Sequence, residues 1–584
     1  MRKLVALALV ASCRPATVPA PSTPVSSPYV AATFPRDWPH RSNANAVSGT
    51  HGVVTSDAAL ASGVGVEILQ AGGNAVDAAI ATGFALAVVY PEAGNLGGGG
   101  FTVLRMADGR VAAIDYREIA PLAATRGMFL DDSGRVTRKS VVGPLASGVP
   151  GSVAGMAATH QRFGSLPLAR VMAPAIRLAE GFVVDSQLAE SLRRHAGLIG
   201  QFAGAAVFLP GGQPLAVGST LRQPALARTL RAIADSGAAA FYTGSLSRVV
   251  AEDLRAAGSI ITPQDLADYK VEFREPIRAT YRGHSLLTMP PPSSGVTLVE
   301  ALNILDGFSP LPPFGSARYA HLFASSLQRA FIDRNSQVAD PAFARVPVNR
   351  LTDKSYAAKL RASIGTGAMA TPALAAQMSE SPGSNTTHYA VVDAAGNAVS
   401  TTTTINDLYG SGVYLPNAGI FMNDEMDDFA ARPGQANEYG LVQGEQNAIQ
   451  PGKRMLSSMI PTIVIDRAGR TLLLVGGRGG PRIISAVAQT IVNVIDHRMS
   501  LPDAINAPRL HHQALPDTVR YERDGFGTAI IDTLASWGYG TKLYGSGGPF
   551  SPTGNIASVN GILRTAHGWV GYADPRVGGR PSGY

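Results

Sequence analysis

Cysteine is nearly absent from this sequence: Cys13 is the only one among 584 residues, so no internal disulfide can form. The sequence also lacks dense runs of Lys and Arg, and these residues are not interleaved with aromatics. The net charge of +7 therefore indicates a solvated basic surface rather than a nucleic-acid interface. No repeat of solenoid period occurs. With 45% hydrophobic residues, the chain is predicted to be globular and large enough for two or more structural units.

Metal-binding patterns are missing as well. The sequence contains no HExxH motif and no Cys/His pattern. His511 and His512 are adjacent, so their side chains cannot point the same way in regular structure. His388 is predicted to be structural rather than basic. No metal and no cofactor are expected.

The start of the chain has no apolar run long enough to cross a membrane. Residues 1–3 include two basic side chains, and residues 4–11 form an apolar stretch of eight residues, against the roughly 20 that a spanning helix needs. This pattern predicts a signal peptide over residues 1–12. Residues 10–13 resemble a bacterial lipobox, which predicts lipidation of Cys13; a plain signal peptide cut nearby is the alternative.

The segment that follows is rich in Pro, Ser, Thr and Ala and has no periodic apolar pattern. Residues 13–45 are therefore predicted to be a lipidated N-terminus and a disordered tether. We expect an exported protein, periplasmic or in the cell envelope, that contacts a membrane only through the lipid at Cys13.

The predicted secondary structure of the remaining sequence changes near residue 381. Before it, helical periodicity dominates, with two helices between Leu60 and Val89 separated by residues 71–74 and another over residues 221–235. After it, short strands and turns precede a helix over residues 481–496. A β core flanked by helices favours an α/β or α+β layered fold.

One predicted hairpin brings two threonines together. Residues 393–397 form a predicted three-residue loop in which Gly396 takes the left-handed position. Counting outward in register places Thr386 opposite Thr404, close enough for one hydroxyl to bond the other. On this stretch alone, the threonines have a simpler explanation, because threonine suits strands.

Residues 385–389, "NTTHY", and residues 402–406, "TTTIN", resemble the processing site of the γ-glutamyltranspeptidases. Eight further blocks are similar to this family and occur in family order: residues 72–79, 97–101, 115–121, 148–155, 289–295, 423–429, 453–459 and 476–484. The resemblance extends from about residue 51 to residue 584. Each block alone is weak, but the ordered set is specific.

The resemblance implies an α+β fold, a four-layer αββα sandwich of the N-terminal-nucleophile hydrolase type, formed by two subunits cut from one precursor. Thr386 Oγ would attack the Asn385 carbonyl, leaving a large subunit over residues 46–385 and a small catalytic subunit over residues 386–584. The freed α-amine has a reference pKa of about 7.7–8.0, so it can act as the general base for its own hydroxyl.

The resemblance also assigns the remaining site residues. Thr404 would orient the nucleophile, and the backbone N–H groups of Gly479 and Gly480 would hold the oxyanion. Arg117, Ser457 and Ser458 would bind the substrate carboxylate. Asn406, Glu425 and Asp428 would bind its ammonium group. Tyr439 would close over the pocket as part of a lid. Tyr439 belongs to residues 432–450, which resemble the family's mobile lid loop. Alone, residues 423–429 would suggest a solvated acidic turn.

The implied activity is transfer of the γ-glutamyl group of glutathione and related compounds, through an ester on Thr386, to water or to amino acid and peptide acceptors. Two alternatives stay open from the sequence. One is an acylase of glutaryl-type cephalosporins, whose substrates lack the α-amine. The other is a surface lipoprotein that keeps the fold but is not cleaved into two subunits.

Overall fold

A computed structural model describes residues 29–371, 386–544 and 555–584. The predicted signal peptide, Cys13 and Asn385 therefore lie outside the described residues. Within the described part, no helix combines the length and apolar character that crossing a bilayer requires. All other predicted catalytic and substrate-binding residues lie within the described ranges.

The strands fall into two large sheets and three small ones. In chain order they are β1 Val47–Gly49, β2 Gly52–Thr55, β3 Gly99–Arg105, β4 Val111–Asp115, β5 Phe182–Val183, β6 Thr220–Leu221, β7 Glu272–Arg274, β8 Ile277–Tyr281, β9 His284–Thr288, β10 Thr387–Asp393, β11 Ala398–Thr404, β12 Tyr414–Leu415, β13 Ile420–Phe421, β14 Thr462–Ile465, β15 Thr471–Arg478, β16 Leu510–His511, β17 Val519–Tyr521, β18 Thr541–Leu543, β19 Ser558–Thr565, β20 Gly568–Ala573 and β21 Ser582–Gly583.

The α-helices are concentrated before residue 363. In chain order they are α1 Ala59–Gln70, α2 Ala75–Val89, α3 Ser152–Phe163, α4 Leu168–Glu180, α5 Ser186–Ile199, α6 Ala205–Phe208, α7 Pro224–Ser236, α8 Ala238–Tyr242, α9 Ser245–Ala257, α10 Pro263–Asp268, α11 Gly295–Asp306, α12 Ala317–Gln337, α13 Val348–Leu351, α14 Lys354–Ala362, α15 Arg482–Ile495, α16 Leu501–Asn506 and α17 Thr528–Ser536.

The two large sheets each have seven strands, paired antiparallel throughout. Their orders are β21-β2-β10-β11-β3-β4-β7 and β1-β20-β19-β15-β14-β9-β8. Strands β10 and β11 of the first contact β15 of the second, so the sheets pack on each other. Helix α2 packs on β10 and β11, and α15 packs on β15 and β19. The fold is a mixed α/β arrangement with helices outside two packed sheets.

Strand β10 shows why the sequence takes this arrangement. Tyr389 and Val391 belong to the core shared with α1 and α2, whereas Ala390 and Val392 belong to the core shared with the second sheet. Successive strand side chains point to opposite faces. Residues 389–392 are apolar at every position, so β10 is buried on both faces, and it carries Thr387 and His388 into the interior.

Most sequence-based elements have the expected places. Helices α1 and α2, the β3–β4 hairpin, α7 and α15 are confirmed within a few residues. The predicted tether is too long at its C-terminal end, however. Trp38 is buried, and its indole Nε1 donates a hydrogen bond to the Asn506 carbonyl at 2.9 Å. The aromatic ring holds this part of the segment against the folded body.

Candidate active site

The hairpin of β10 and β11 has the predicted register. Thr387 pairs with Thr403, and Gly396 closes the turn with a φ of +90°. One residue further out, Thr386 lies beside Thr404, and the Thr386 hydroxyl donates a hydrogen bond to Thr404 Oγ1 at 3.1 Å. The turn therefore sets the position of the predicted nucleophile.

The conformation of Thr386 is unusual for its residue type. Its φ is +90°, a region in which a β-branched residue is strained. Thr404 Oγ1 accepts a second hydrogen bond, from the Asn406 backbone N–H at 2.8 Å. Two donors thus fix the Thr404 oxygen, and that oxygen fixes the direction of the Thr386 hydroxyl.

A buried polar network holds the start of β10. The Thr387 hydroxyl donates to Asp57 at 2.8 Å, and the Asn560 amide donates to both Asp57 and the His388 carbonyl. Burial raises the pKa of Asp57, although these hydrogen bonds oppose the shift. Burial also lowers the pKa of His388 to about 3. A neutral His388 agrees with the structural role predicted for it.

The glycine pair lies where β15 passes into α15. Gly479 and Gly480 have φ values of +127° and +57°, which other residues adopt poorly. A Cβ atom on Gly480 would come within 2.8 Å of the Tyr439 ring. Gly480 lines the same pocket as Thr386, whereas Gly479 does not appear in its lining. The structure thus brings one of the two predicted donors directly to the nucleophile.

The pocket beside Thr386 contains all seven predicted substrate-binding residues. Its walls are formed by Arg117, Thr386, Thr404, Asn406, Glu425, Asp428, Tyr439, Ser457, Ser458, Met459, Gly480 and Ile483. These residues come from segments hundreds of positions apart. Only the fold brings them together, and a hydroxyl nucleophile and a cluster of charges then share one small space.

Arg117 forms the centre of the charged part of the pocket. Its side chain is 1% exposed and forms ion pairs with Glu425 and Asp428, and a longer one of 3.5 Å with Glu118. The acidic turn is therefore buried rather than solvated as its composition alone suggests. Arg117 and the acidic groups are paired with one another, so the predicted carboxylate-binding and ammonium-binding halves are in direct contact.

The electrostatics of this cluster are those of buried ionisable groups. Burial raises the pKa of Glu118 to about 7 and raises the pKa values of Glu425 and Asp428, although Arg117 opposes all three shifts. Burial would lower the pKa of Arg117, but its carboxylate partners outweigh burial and raise it. Arg117 is thus charged, and its positive charge interacts with all three surrounding carboxyls.

One residue of the predicted lid loop, Tyr439, lines this pocket. Tyr439 is buried, and its hydroxyl donates to Asn406 Oδ1 at 2.8 Å. The Asn406 amide group in turn donates to the Asp424 carbonyl at 3.2 Å. The loop that carries Tyr439 is therefore connected through Asn406 to the residues beside the nucleophile.

Three further carboxyls meet at the predicted lid loop, which itself contributes Glu438. Oxygens of Asp407, Asp424 and Glu438 lie within 4.8 Å of one another. Burial raises the pKa values of all three, and their mutual repulsion raises those of Asp424 and Glu438 further. Shared protons offset this repulsion. The sequence did not predict this cluster, because its members belong to three separate turns.

Sequence analysis also missed two residues that support the site. The Asn95 amide donates to the Thr404 carbonyl at 2.9 Å. Arg334, on α12, donates to Ser458 Oγ at 3.0 Å. Asn95 lies two positions before the recognised glycine block, which was an available signal. Arg334 lies in an ordinary helical pattern and carries no local signal.

Replacing Thr404 by valine removes the oxygen that holds the Thr386 hydroxyl while keeping the side-chain shape. We expect kcat for turnover of a γ-glutamyl anilide to fall by about tenfold or more, the cost of losing one hydrogen bond at the nucleophile. Thr404→Ser retains the oxygen and should stay within a few-fold of wild type. Equal losses in both variants would show that the hydroxyl has no such role.

Comparison with known proteins identifies the family of this chain. The family profile described as "Gamma-glutamyltranspeptidase" matches residues 61–584. The chain is 43% identical over 550 residues to a "Glutathione hydrolase proenzyme" of Escherichia coli (strain K12), covering 93% of each chain. It is also 43% identical over 474 residues to an "Acylase ACY 1 proenzyme" of Pseudomonas sp. (strain SE83), covering 79% of this chain and 83% of that one.

Among solved structures, a cephalosporin acylase from Bacillus halodurans has a similar fold. Its TM-score is 0.81 at 28% identity, with 95% of this chain and 99% of that chain covered. The match to the family profile and the identity to the Escherichia coli proenzyme both extend over most of the chain. This chain therefore belongs to the γ-glutamyltranspeptidase family.

Proposed function

We propose that the protein is a γ-glutamyltransferase and glutathione hydrolase whose nucleophile is Thr386. The observation that carries the proposal is the shared pocket: the hydrogen-bonded Thr386 hydroxyl opens onto the buried Arg117, Glu425 and Asp428 cluster. A γ-glutamyl group ends in a carboxylate and an ammonium on one carbon. A site with both charges beside a hydroxyl nucleophile suits this acyl group.

Maturation is the first step of the proposed chemistry. Thr386 Oγ attacks the Asn385 carbonyl carbon, the peptide C–N bond breaks, and the nitrogen leaves protonated as the Thr386 α-amine. Water then hydrolyses the resulting ester, which restores the Thr386 hydroxyl and leaves a carboxylate on Asn385. The large subunit ends at Asn385 and the small subunit begins at Thr386. The strained φ of Thr386 supports cleavage at this position.

Turnover uses the same hydroxyl with a new base. The Thr386 α-amine takes the hydroxyl proton while Oγ attacks the γ-carbonyl carbon of the substrate. Backbone N–H groups of Gly479 and Gly480 hold the oxyanion of the tetrahedral intermediate. Collapse breaks the γ-amide bond, and the leaving amine takes the proton from the α-amine. Water or an amino acid or peptide amine then attacks the γ-glutamyl ester and regenerates Thr386.

Substrate binding follows from exchange within the ion-pair cluster. The substrate carboxylate takes the Arg117 guanidinium as a bidentate partner, with Ser457 and Ser458 as further donors. The substrate ammonium takes the released carboxylates of Glu425 and Asp428, together with Asn406. Each group loses one buried partner and gains another. Tyr439 and its loop cover the bound group and limit the leaving amine to small peptides such as that of glutathione.

The relatives named as acylases make a glutaryl substrate the second candidate. A glutaryl group has the same carboxylate but no ammonium, so it would leave Glu425 and Asp428 without the cation that replaces Arg117. Sites built to bond an N–H group strongly reject analogues that lack it. We expect kcat/KM to be about 100-fold higher for the γ-glutamyl anilide than for the glutaryl anilide. A faster glutaryl substrate would reverse the assignment.

We also propose the export signal and the lipid anchor that the N-terminal sequence predicts. Residues 1–12 are an export signal, Cys13 carries a lipid, and the two subunits remain associated outside the cytoplasm as one sandwich. Mass analysis of detergent-extracted large subunit is expected to show a lipid-modified Cys13 at its N-terminus. An unmodified Cys13, or a start downstream of it, would contradict the anchor.

A further inference from the structure

Arg334 is a buried cation behind the carboxylate half of the pocket. It is 1% exposed, and its side chain donates to Ser294 Oγ at 2.8 Å, to Ser458 Oγ at 3.0 Å and to Asn335 Oδ1 at 3.2 Å. Within the described ranges, no carboxylate forms an ion pair with it. Burying a charge without a paired opposite charge costs folding free energy. We therefore ask what Arg334 does at this position.

The hydrogen bond from Arg334 decides which way the Ser458 hydroxyl points. A serine hydroxyl has one hydrogen and two lone pairs, and an arginine can only donate. Arg334 therefore occupies a lone pair of Ser458 Oγ, and the Ser458 hydrogen must point elsewhere. Ser458 lines the pocket, and no described protein group accepts its hydrogen. The hydroxyl is left to donate into the pocket.

Ser294 connects Arg334 to the other serine. Its hydroxyl accepts from Arg334 Nε and donates to the Ser457 carbonyl at 2.6 Å. The guanidinium thus contacts both residues of the serine pair, directly at Ser458 and through Ser294 at Ser457. Burial lowers the pKa of Arg334 to about 10, and the nearby Asp428 opposes that shift. Arg334 is therefore still charged at neutral pH.

We propose that Arg334 is a positioning residue that selects substrates with an α-carboxylate: it aims the Ser458 hydroxyl at that carboxylate and adds a second positive charge behind it. The inference rests on the proposed function. It predicts that Arg334 matters for the acyl group's carboxylate and not for its ammonium or for the leaving amine.

The test compares Arg334→Met with Arg329→Met in the full-length, processed enzyme. Arg329 is a matched control, because it is equally buried on α12 but bonds Ser363, Ser325 and Leu360 rather than the pocket. The substrates are a γ-glutamyl anilide and a 4-aminobutanoyl anilide, which is the same acyl group without the α-carboxylate.

We expect Arg334→Met to raise KM for the γ-glutamyl anilide by about 10- to 100-fold, the factor for losing a charged hydrogen bond, with kcat changed only a few-fold. Turnover of the 4-aminobutanoyl anilide and all parameters of Arg329→Met should stay near wild type. Arg334→Lys, which keeps the charge and a donor, should recover much of the loss. In a Ser458→Ala background, Arg334→Met should cost several-fold less than in wild type.

Two results would overturn the inference. One is an equal loss on both substrates, which would mean that Arg334 only supports the fold. The other is a full, additive loss in the Ser458→Ala background, which would mean that Arg334 does not act through Ser458. If Arg334→Met is not processed, Arg334→Gln, which removes the charge but stays polar, is compared on the two substrates and decides between the same outcomes. An inactive but processed wild type would refute the proposed function itself.

Discussion

Replacing Thr386 by alanine is expected to leave one uncut chain with no measurable γ-glutamyl transfer. In the proposed mechanism, the substitution removes the oxygen that attacks the Asn385 carbonyl, so the α-amine of residue 386 is not released. It also removes the nucleophile of turnover. Loss of a catalytic nucleophile costs roughly 10⁴-fold or more. A denaturing gel and a γ-glutamyl anilide assay on the same preparation measure both effects.

Thr386→Ser is the control for this prediction. Serine keeps the oxygen and lacks only the methyl group, so we expect it to be cut and active, within about tenfold to 100-fold of wild type. An alanine variant that is cut at the same bond would show that another group performs the cleavage. An alanine variant that is uncut yet active would separate the nucleophile of turnover from Thr386.

Replacing Arg117 by methionine is expected to give a processed but nearly inactive enzyme. Arg117 is the shared partner of Glu425 and Asp428, so its loss affects both halves of the pocket. The substrate carboxylate would lose its cation. The two carboxyls would lose the charge that opposes the rise of their pKa values on burial, so they would retain protons and bind an ammonium poorly. Truncating one partner of a buried charge pair costs about 2–5 kcal/mol, or roughly 30- to 5,000-fold in kcat/KM.

In the proposed mechanism, processing does not use the α-amino acid pocket, so the gel reports whether Arg117→Met still folds. Arg509 provides a second control, because it is equally buried and paired with Asp574, away from the pocket. We expect Arg509→Met to lower thermal stability without raising KM. If both variants lose activity in parallel with their stability, the assignment of Arg117 to substrate binding is wrong.

The hairpin was predictable because its information is local. Gly396 sets the turn, the turn sets the register, and the register places Thr386 beside Thr404. The alternation of β10 is equally local, since each residue's face follows from its position in the strand. In such cases the sequence neighbours of a residue determine its surroundings.

The charged pocket was only partly predictable for the opposite reason. Arg117 and Asp428 are 311 positions apart, and neither segment indicates that the other will be its partner. The composition of residues 423–429 suggested a solvated turn, whereas the fold buries it. The resemblance supplied these residues, but it did not supply their pairing with one another.

Arg334 marks the limit of reasoning from sequence. Its importance depends on two hydrogen bonds, to Ser294 and Ser458, that come from separate parts of the chain. A single arginine in a helical pattern is usually a surface residue. Its burial and its direction become apparent only when α12 and the serine pair are packed together.

The most direct test of the account is N-terminal sequencing of the wild-type protein after a denaturing gel. We expect two fragments of the chain. The smaller should begin Thr-Thr-His-Tyr, which would establish Thr386 as a free N-terminal nucleophile. A single uncut chain in folded, soluble wild-type protein would contradict it. The family fold would then be kept here for binding rather than for catalysis.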